Sequence, residues 1–278
     1  MKKWNLIVDV AECTNCNLCA LACQDEYVGN DWPGVAAEMP KHGHRWIDIK
    51  RKERGQPPVI DVAYLPVMCQ HCDDAPCMKA ARDGAVFKRD DGIVIIDPVK
   101  ARGQRQIVDA CPYGVVHWNE EKQLPQAWPF DAHLLDQGWP EPRAATVCPT
   151  GAIRAVKAED EEMDRIKAAE GLEALDPALE TRPRVWYRNL HRFTKCFIAG
   201  SVAGMVDGVE ECIAGARVTL AKGGETVATA ETDAFGEFKI DRLDPASGGY
   251  TLTVEKDGFP TKAVDVELGD SVTLAIQL

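Results

Sequence analysis

The stretch ECTNCNLCALACQDEY, from Glu12 to Tyr27, holds four cysteines in the spacing C-x2-C-x2-C-x3-C. Cysteines placed so close together, in a chain without a secretory signal, indicate metal ligation rather than disulfide bonding. In runs with this spacing, three thiolates bind one iron–sulfur cluster and the fourth reaches a second cluster. The stretch therefore predicts an iron–sulfur fold, and it leaves open which second cluster the fourth cysteine, Cys23, would serve.

The whole chain has the size and composition of a two-domain protein. It has 278 residues, 45% of them hydrophobic, with a net charge of −12 and an isoelectric point near 5.0. This acidic balance argues against nucleic-acid binding, and no apolar run is long enough to span a membrane. The amino-terminal MKKWNLIVDVAEC lacks the apolar core of a signal peptide. We therefore expect a cytoplasmic protein that binds neither nucleic acid nor a membrane.

Two other interpretations of the eleven cysteines compete with iron–sulfur ligation. Disulfide frameworks are typical of small secreted chains, whereas this chain is large and its cysteines are clustered. Zinc sites use C-x2-C pairs, but the triplets C-x2-C-x2-C and C-x2-C-x4-C do not divide into tetrahedral sets. Iron–sulfur ligation is therefore the preferred interpretation.

Two triplets and two Cys-Pro cysteines supply the candidate ligands. A ferredoxin-type cluster takes three cysteines from one tight loop and a fourth from a distant Cys-Pro segment. The triplets are Cys13, Cys16, Cys19 and Cys69, Cys72, Cys77, and the distant cysteines are Cys111 and Cys148. Spacing alone leaves open which distant cysteine completes which triplet. Three cysteines remain over, namely Cys23, Cys196 and Cys212.

The chain divides into three regions by composition, and the predicted fold class is α+β. Residues 1–155 have short apolar runs and many turns, as expected of a fold organised around clusters. Residues 156–198 predict a helix that stops at Gly171, followed by an extended linker strap. Residues 199–278 alternate short strands with Gly, Asp and Pro turns, which predicts an antiparallel β-sandwich.

The sandwich region contains the sequence DAFGEFKIDRLDPASGGYTLTVEKDGF. This sequence resembles the transthyretin-like, carboxypeptidase-regulatory-like β-sandwich family. It carries no catalytic residues, so we expect a docking or stabilising module.

Five motifs occur in an order that resembles the iron–sulfur subunits of the molybdopterin oxidoreductase (DMSO reductase) superfamily: CTNCNLCALAC, CQHCDDAPC, DGIVIIDP, CPYG and CPTGA. Together with GHRWIDIKRKERG, RVWYRNLHRF and the sandwich, they are more narrowly similar to the small subunits of pyrogallol–phloroglucinol transhydroxylase and resorcinol hydroxylase. The resemblance implies a tandem ferredoxin-like domain with two [4Fe-4S] clusters. It assigns Cys13, Cys16, Cys19 and Cys148 to cluster one, and Cys69, Cys72, Cys77 and Cys111 to cluster two.

The superfamily has two further cluster sites. This chain has none of the four cysteines of one site and only one of the four cysteines of the other. One of them, the fourth site, corresponds to Ala81, Ala101, Gln104 and Ile107, so we expect it to be lost. The other, the third site, corresponds to Cys23, Trp128, Asp131 and Ala144. We expect Trp128 to fill the volume of the missing cluster. Cys23 is then either a small buried hydrophobe or, with Asp131, a residual ligand of an unusual metal or altered cluster.

The resemblance implies a non-catalytic electron-transfer subunit in a cytoplasmic heterodimer. The partner would be a large subunit with molybdenum or tungsten bis-pterin that hydroxylates or transhydroxylates polyhydroxylated aromatic rings. The alternatives are a similar subunit serving a sulfur compound or formate, and a structural subunit with redox-silent clusters. No residue is a catalytic candidate. Arg45, Trp46 and the segment RVWYRNLHRF are predicted at the partner interface, and His71 is predicted to hydrogen-bond to cluster two.

Overall fold

Two compact units make up the chain, and the computed structural model describes all of residues 1–278. The first unit comprises Met1–Lys50 and Tyr64–Leu190, and the second comprises Arg51–Ala63 and His191–Leu278. The region boundaries at residues 155 and 198 remain predictions, because each unit combines two separate segments of the chain.

The elements up to Leu190 are, in chain order, β1 (Lys3–Asp9), α1 (Leu18–Tyr27), β2 (Ile47–Gln56), β3 (Val59–Met68), α2 (Pro76–Ala80), β4 (Val86–Lys88), β5 (Val94–Ile96), α3 (Gln106–Asp109), β6 (His117–Asn119), β7 (Leu124–Gln126), α4 (Ala132–Asp136), α5 (Arg143–Thr146), β8 (Ile153–Ala158), α6 (Asp160–Glu170) and β9 (Val185–Arg188), with a 3-10 turn at Pro177–Leu179. The remaining elements are α7 (His191–Thr194), β10 (Cys196–Val206), β11 (Val209–Cys212), β12 (Arg217–Lys222), β13 (Glu225–Glu231), β14 (Glu237–Leu243), β15 (Gly248–Glu255), β16 (Lys262–Leu268) and β17 (Val272–Gln277).

β1 is the central strand of a three-stranded sheet in the first unit. Its sequence KWNLIVD is rich in apolar and β-branched residues, which suit a strand buried on both faces. β8 pairs with it antiparallel and β9 pairs with it parallel, so that Leu6 lies between Ala155 and Val185. Part of the predicted extended strap is therefore a strand of this sheet.

α6 confirms the helix predicted before Gly171. Its first turn carries three acidic residues, which interact favourably with the positive end of the helix dipole. Gly171 follows its last residue with a φ of 62°, a left-handed conformation that glycine adopts at little cost. Met163 is buried and packs with Ile7 of β1 and Ala158 of β8. The helix thereby covers the β1 sheet.

The rest of the first unit consists of short elements. The strands of the pairs β4–β5 and β6–β7 have three residues each, and α2 to α5 have four or five. A small apolar core that includes Ala85, Val94, Ala101 and Ile107 lies among them. No helix of the protein is long and apolar enough to cross a membrane. Loops and single helical turns therefore place the cysteines, as their sequence predicts.

The second unit contains the predicted β-sandwich, which is antiparallel except where the last strand pairs parallel with β10. One sheet has the order β11–β10–β14, with β17 pairing parallel to β10, and the other has the order β13–β12–β15–β16. Side chains of both sheets form one apolar core, among them Val202, Val218, Phe238, Leu252 and Leu268. Along β15 the burial alternates residue by residue over Tyr250–Val254, as expected of a strand with one face on a core.

Candidate functional site

Four cysteines of the first unit line a single cavity, which we call cavity one. They are Cys13, Cys16, Cys19 and Cys148, the four assigned to cluster one by resemblance. Apolar side chains complete the wall, notably Ile49, Pro66 and Ile153. Three residues of one loop and one distant residue thus converge on the same space.

The local backbone explains how cavity one gathers its thiols. Asn15 and Asn17 have φ values of 59° and 61°, which asparagine tolerates better than most residues. The side chain of Asn17 donates to the carbonyl oxygen of Asn15 at 2.8 Å, which holds the loop in its tight curve. α1 then begins at Leu18, so Cys19 lies in its first turn. Cys148 follows α5 at the start of a turn closed by a bond from Gly151 to its carbonyl.

A second cavity, cavity two, lies in the same unit and is lined by the other four cysteines. Its cysteines are Cys69, Cys72, Cys77 and Cys111. Cys69 directly follows β3, whereas Cys77 belongs to α2, which begins with Pro76. Cys111 comes directly after the turn that ends α3, and a bond from Gly114 to its carbonyl turns the chain away. Three of the four cysteines thus lie at or beside the boundary of an element, and Cys72 lies in the loop between β3 and α2.

The electrostatics of both cavities oppose free thiolates. Burial raises the pKa of Cys19 to about 11, and the charges of Cys13, Cys16 and Cys148 add to this effect. Burial and the charge of Cys111 raise the pKa of Cys77 to about 12. Thiolates packed this closely need positive charge among them, which iron provides. The four soft sulfur donors of each cavity therefore fit an iron–sulfur cluster.

No group of three or more His, Cys, Asp or Glu side chains is arranged to hold a single metal ion. A [4Fe-4S] cluster differs from a single ion, since its four thiolates bind four separate iron atoms around a larger body.

Thr181 is a residue near cavity two that the sequence did not reveal. Burial raises the pKa of Cys72, and a hydrogen bond from the Thr181 side chain partly opposes that rise. The Thr181 hydroxyl also bonds to the Tyr113 hydroxyl at 2.6 Å. Thr181 is more than a hundred residues away from Cys72 in sequence, and no local motif marks it.

His71 lies inside the second cysteine triplet, but it does not donate to the neighbouring Cys69. Its Nδ1 accepts a hydrogen bond from the backbone N–H of Val94 at 3.1 Å. Burial, helped by the charge of Lys88, lowers the pKa of His71 to about 3. The ring is therefore neutral, with its proton on Nε2. Because Nδ1 is the nitrogen near Cys69, 3.9 Å from its Sγ, the predicted hydrogen bond is not made to this cysteine.

Protein side chains fill the region that corresponds to the fourth site. Ala101 and Ile107 are fully buried in an apolar core that also contacts Cys77 and Cys111. The Gln104 side chain accepts from the Arg82 backbone at 2.8 Å and donates to the Lys100 carbonyl at 2.9 Å. The Gln104 amide and the neighbouring apolar side chains thus occupy this region, and no sulfur is supplied there.

Around Cys23 lies a closed hydrogen-bond cluster. Cys23, Trp128, Asp131 and Ala144 are all buried. The Asp131 carboxylate accepts hydrogen bonds from the Tyr27 hydroxyl, the Trp128 indole and the Arg143 backbone. Burial and the charge of Asp131 raise the pKa of Cys23 well above its usual range. These contacts favour the interpretation of Cys23 as a small buried hydrophobe over that of a residual metal ligand.

The predicted partner interface needs one correction. Trp46 is 1% exposed, and its ring packs against that of Tyr27 with centroids 4.9 Å apart, so its assignment to an interface is wrong. Arg45 is exposed, and its place at a partner interface stays a prediction. Leu18 and Leu21, which were not predicted, are 40% and 55% exposed on α1, beside the exposed Cys16 of cavity one. Their apolar character among the cysteines of the first motif is the signal that could have identified them.

Comparison with protein families gives two matches. Residues 60–158 match the family described as 4Fe-4S dicluster domain, and residues 198–278 match the carboxypeptidase regulatory-like domain. The first match includes the second cysteine triplet, Cys111 and Cys148. The second match covers the sandwich and agrees with its predicted family.

Three curated proteins illustrate the similarity, one over nearly the whole chain and two over part of it. The chain is 45% identical over 261 residues to the pyrogallol hydroxytransferase small subunit of Pelobacter acidigallici, covering 93% of this chain and 92% of that protein. It is 30% identical to the arsenate respiratory reductase iron–sulfur subunit of a Shewanella species, covering 49% and 53% of the two chains. It is 29% identical to a tetrathionate reductase subunit of Salmonella typhimurium, covering 68% and 73%.

Proposed function

Because the chain belongs to the iron–sulfur electron-transfer subunits of the molybdopterin oxidoreductase (DMSO reductase) superfamily, we propose that each cysteine-lined cavity binds one [4Fe-4S] cluster. Cluster one is held by Cys13, Cys16, Cys19 and Cys148. Cluster two is held by Cys69, Cys72, Cys77 and Cys111. The observation that carries this proposal is the convergence of four cysteines on each cavity.

The residues of the chain hold the clusters and limit access of water to them. When bound, a [4Fe-4S] cluster supplies one-electron transfer. The raised pKa values of Cys19 and Cys77 mean that iron binding must displace protons from buried thiols. Apolar walls such as Ile49 and Ile153 in cavity one, and Val115 and Val116 in cavity two, lower the local polarity. Such burial is one of the means by which proteins set cluster potentials.

Cluster one is proposed to lie nearer the large molybdopterin-containing subunit. Cys16 is exposed, and Leu18 and Leu21 expose apolar surface on the same loop and helix. Exposed apolar side chains beside a redox site suit a buried contact with a partner. The partner would perform the chemistry, and this subunit would deliver or accept its electrons.

The proposed reaction of the complex is hydroxylation or transhydroxylation of a polyhydroxylated aromatic compound. Support comes from the 45% identity to the Pelobacter acidigallici subunit, which extends over 93% of the chain. The similarity to a tetrathionate reductase subunit favours a sulfur compound as the alternative. A heterodimer, a molybdenum or tungsten partner and a cytoplasmic location are parts of the same proposal.

Loss of the third site has a consequence for electron flow. In the superfamily pattern this site lies between the two retained ones, and its region is now filled by Trp128 and the contacts of Asp131. Cluster two is then either a separate electron exit or a structural cluster.

Iron and sulfide analysis of the native complex, with EPR under graded reduction, tests the proposal. We expect about eight irons per chain of this subunit, because each cluster contains four, after subtraction of any iron in the partner. About twelve irons would contradict the loss of the third site, and about four would contradict one of the two cysteine sets. Clusters that never change redox state while the complex turns over a trihydroxybenzene would instead support the structural role.

A further inference from the structure

We propose that Asp131 is a positioning residue for cluster one, because its carboxylate joins the two segments that carry Cys19 and Cys148. The inference rests on the proposed binding of cluster one in cavity one. It assigns a role to the residues that fill the region of the third site, where Cys23 is the one cysteine that remains.

Asp131 is 1% exposed, and both of its carboxylate oxygens are engaged. Oδ1 accepts from the Tyr27 hydroxyl at 2.8 Å and from the Trp128 indole at 3.0 Å. Oδ2 accepts from the backbone N–H of Arg143 at 2.9 Å. A buried carboxylate with three donors is stabilised in place, whereas removal of the carboxylate leaves three buried donors without an acceptor.

The donors belong to the elements that carry cluster-one ligands. Tyr27 is the last residue of α1, whose first turn contains Cys19. Arg143 is the first residue of α5, and Cys148 comes two residues after the end of that helix. α1 and α5 also pack against each other. The carboxylate therefore fixes the end of one ligand-bearing helix against the beginning of the segment that leads to the fourth ligand.

A second carboxylate reinforces the same junction. Glu26, the neighbour of Tyr27, accepts from Arg143 Nη1 at 2.7 Å and bonds to His133 of α4 at 2.8 Å. Asp131 itself directly precedes α4. Two acidic side chains thus connect α1, α4 and α5 through buried contacts.

The backbone before α4 directs the Asp131 side chain inward. Phe130 and Asp131 have φ values of 57° and 51°, which are uncommon for residues other than glycine. Two such residues in succession persist only where surrounding contacts hold them. Here the buried rings of Trp128 and Phe130 pack 5.0 Å apart, and the carboxylate bonds lie beside them. This loop conformation keeps the carboxylate between Tyr27 and Arg143.

In the superfamily pattern a third cluster would join α1 to the segments around Asp131 and Ala144 through its ligands. In this chain a hydrogen-bonded carboxylate makes the same connection. The prediction is that cluster one depends on Asp131 although Asp131 is not one of its ligands.

The test compares three variants in the purified native complex: Asp131→Ala, Tyr27→Phe and the control Asp136→Asn. Asp136 lies in α4, is exposed, and bonds to Arg89 on the surface. A Cys77→Ser variant, which removes a cluster-two ligand, identifies the EPR signal that belongs to cluster one. The readouts are iron per chain, the two EPR signals and the reduction potential of each cluster.

We expect Asp131→Ala to lose up to half of the iron, through selective loss of the cluster-one signal. Tyr27→Phe removes a single donor, so we expect it to keep eight irons but to shift the cluster-one potential or line shape. Asp136→Asn should match the wild type in every readout.

The inference is overturned if Asp131→Ala keeps both signals and both potentials of the wild type. It is also overturned if both clusters disappear together in Asp131→Ala and Tyr27→Phe has no selective effect, because the role is then general folding. A wild-type complex with fewer than eight irons would contradict the proposed function. Eight irons in both the wild type and Asp131→Ala, with unchanged signals and potentials, would contradict only the role of Asp131.

Discussion

Arg54 shows at the scale of one residue how the second unit holds a buried charge. Its side chain is buried and forms ion pairs with Asp61 and, at 3.1 Å, with Asp241. It also donates to the Lys195 carbonyl at 3.1 Å and lies 5.2 Å from the centre of the Phe197 ring. Although burial opposes it, hydrogen bonds from Arg192 and Arg54 lower the pKa of Asp61 to about 2. The buried Arg54 guanidinium thus joins β2, which contains it, to Asp61 of β3 and Asp241 of β14.

Replacement of Arg54 by alanine should destabilise the second unit by about 2–3 kcal/mol, because it removes buried charge-assisted hydrogen bonds to Asp61 and Asp241. The loss is limited because Arg192 and Lys239 still pair with these carboxylates. Urea unfolding measures this change when it is monitored through the hydrogen–deuterium exchange of the β10 and β14 amides. Arg51→Ala is the matched control, since Arg51 is exposed and pairs only with Glu53. Its expected effect is within about 1 kcal/mol. Equal effects of the two variants would show that the Arg54 network contributes little.

The sequence predicted which residues are candidate cluster ligands, but it did not predict the burial or the hydrogen-bond partners of the residues around them. Cysteine spacing alone identified the eight candidate ligands, because thiolates in such runs have few other uses. The interface assignment of Trp46 was wrong, because burial depends on partners far away in sequence. The hydrogen bond of His71 to cluster two stays a prediction. Tyr27 reaches Asp131 across 104 positions of the chain, and no local pattern encodes that contact.

At the scale of elements, β10 is the organising strand of the sandwich. It pairs antiparallel with β11 and β14 and parallel with β17. Alternation of apolar residues predicts that such a strand exists, but it does not predict its neighbours. The parallel pairing with β17 joins strands that are far apart in the chain, because parallel neighbours cannot be connected by a short hairpin, so no local turn signal predicts it.

Gly200, in the middle of β10, is an element-scale test of that pairing. An added Cβ would meet the Leu274 carbonyl oxygen of β17 and would lie 3.0 Å from the Phe238 ring of β14. Gly200→Ala should therefore destabilise the second unit by about 1–3 kcal/mol, because the strands must move apart. Gly269→Ala, where an added Cβ meets nothing within 4 Å, should change stability by about 0.5 kcal/mol at most. Thermal unfolding of both variants decides; an unchanged Gly200→Ala protein would contradict the tight β10–β17 contact.

At the scale of the whole molecule, the two units are stabilised by different means. The first unit combines the β1 sheet with short helices and loops around two cysteine-lined cavities. The second has one continuous apolar core between two sheets. Metal ligation contributes folding free energy where elements are short, whereas a continuous core is stable through apolar burial.

Removal of iron by an anaerobic chelator should therefore affect the units unequally. We expect amide protection to fall in the cysteine-bearing segments of residues 11–27 and 69–81, which include α1 and α2, and to persist in β10, β12 and β15. Hydrogen–deuterium exchange with mass spectrometry before and after chelation measures both parts in one sample. Loss of protection in the sandwich to the same extent would show that its stability depends on the clusters.

From the sequence alone, local spacing was enough to predict eight candidate cysteine ligands, the α6 helix with its glycine stop and the alternating strands after residue 200. Which distant cysteine completes which triplet came from the resemblance to the superfamily. The side chains that fill the region of the third site are visible only in the folded structure. The bonds of Asp131 to Tyr27, Trp128 and Arg143 join segments that are distant in the chain, so they exist only once the chain has folded. Cys23, the fourth cysteine of the opening motif, is consequently a buried side chain near the Asp131 carboxylate. That carboxylate already accepts hydrogen bonds from protein donors.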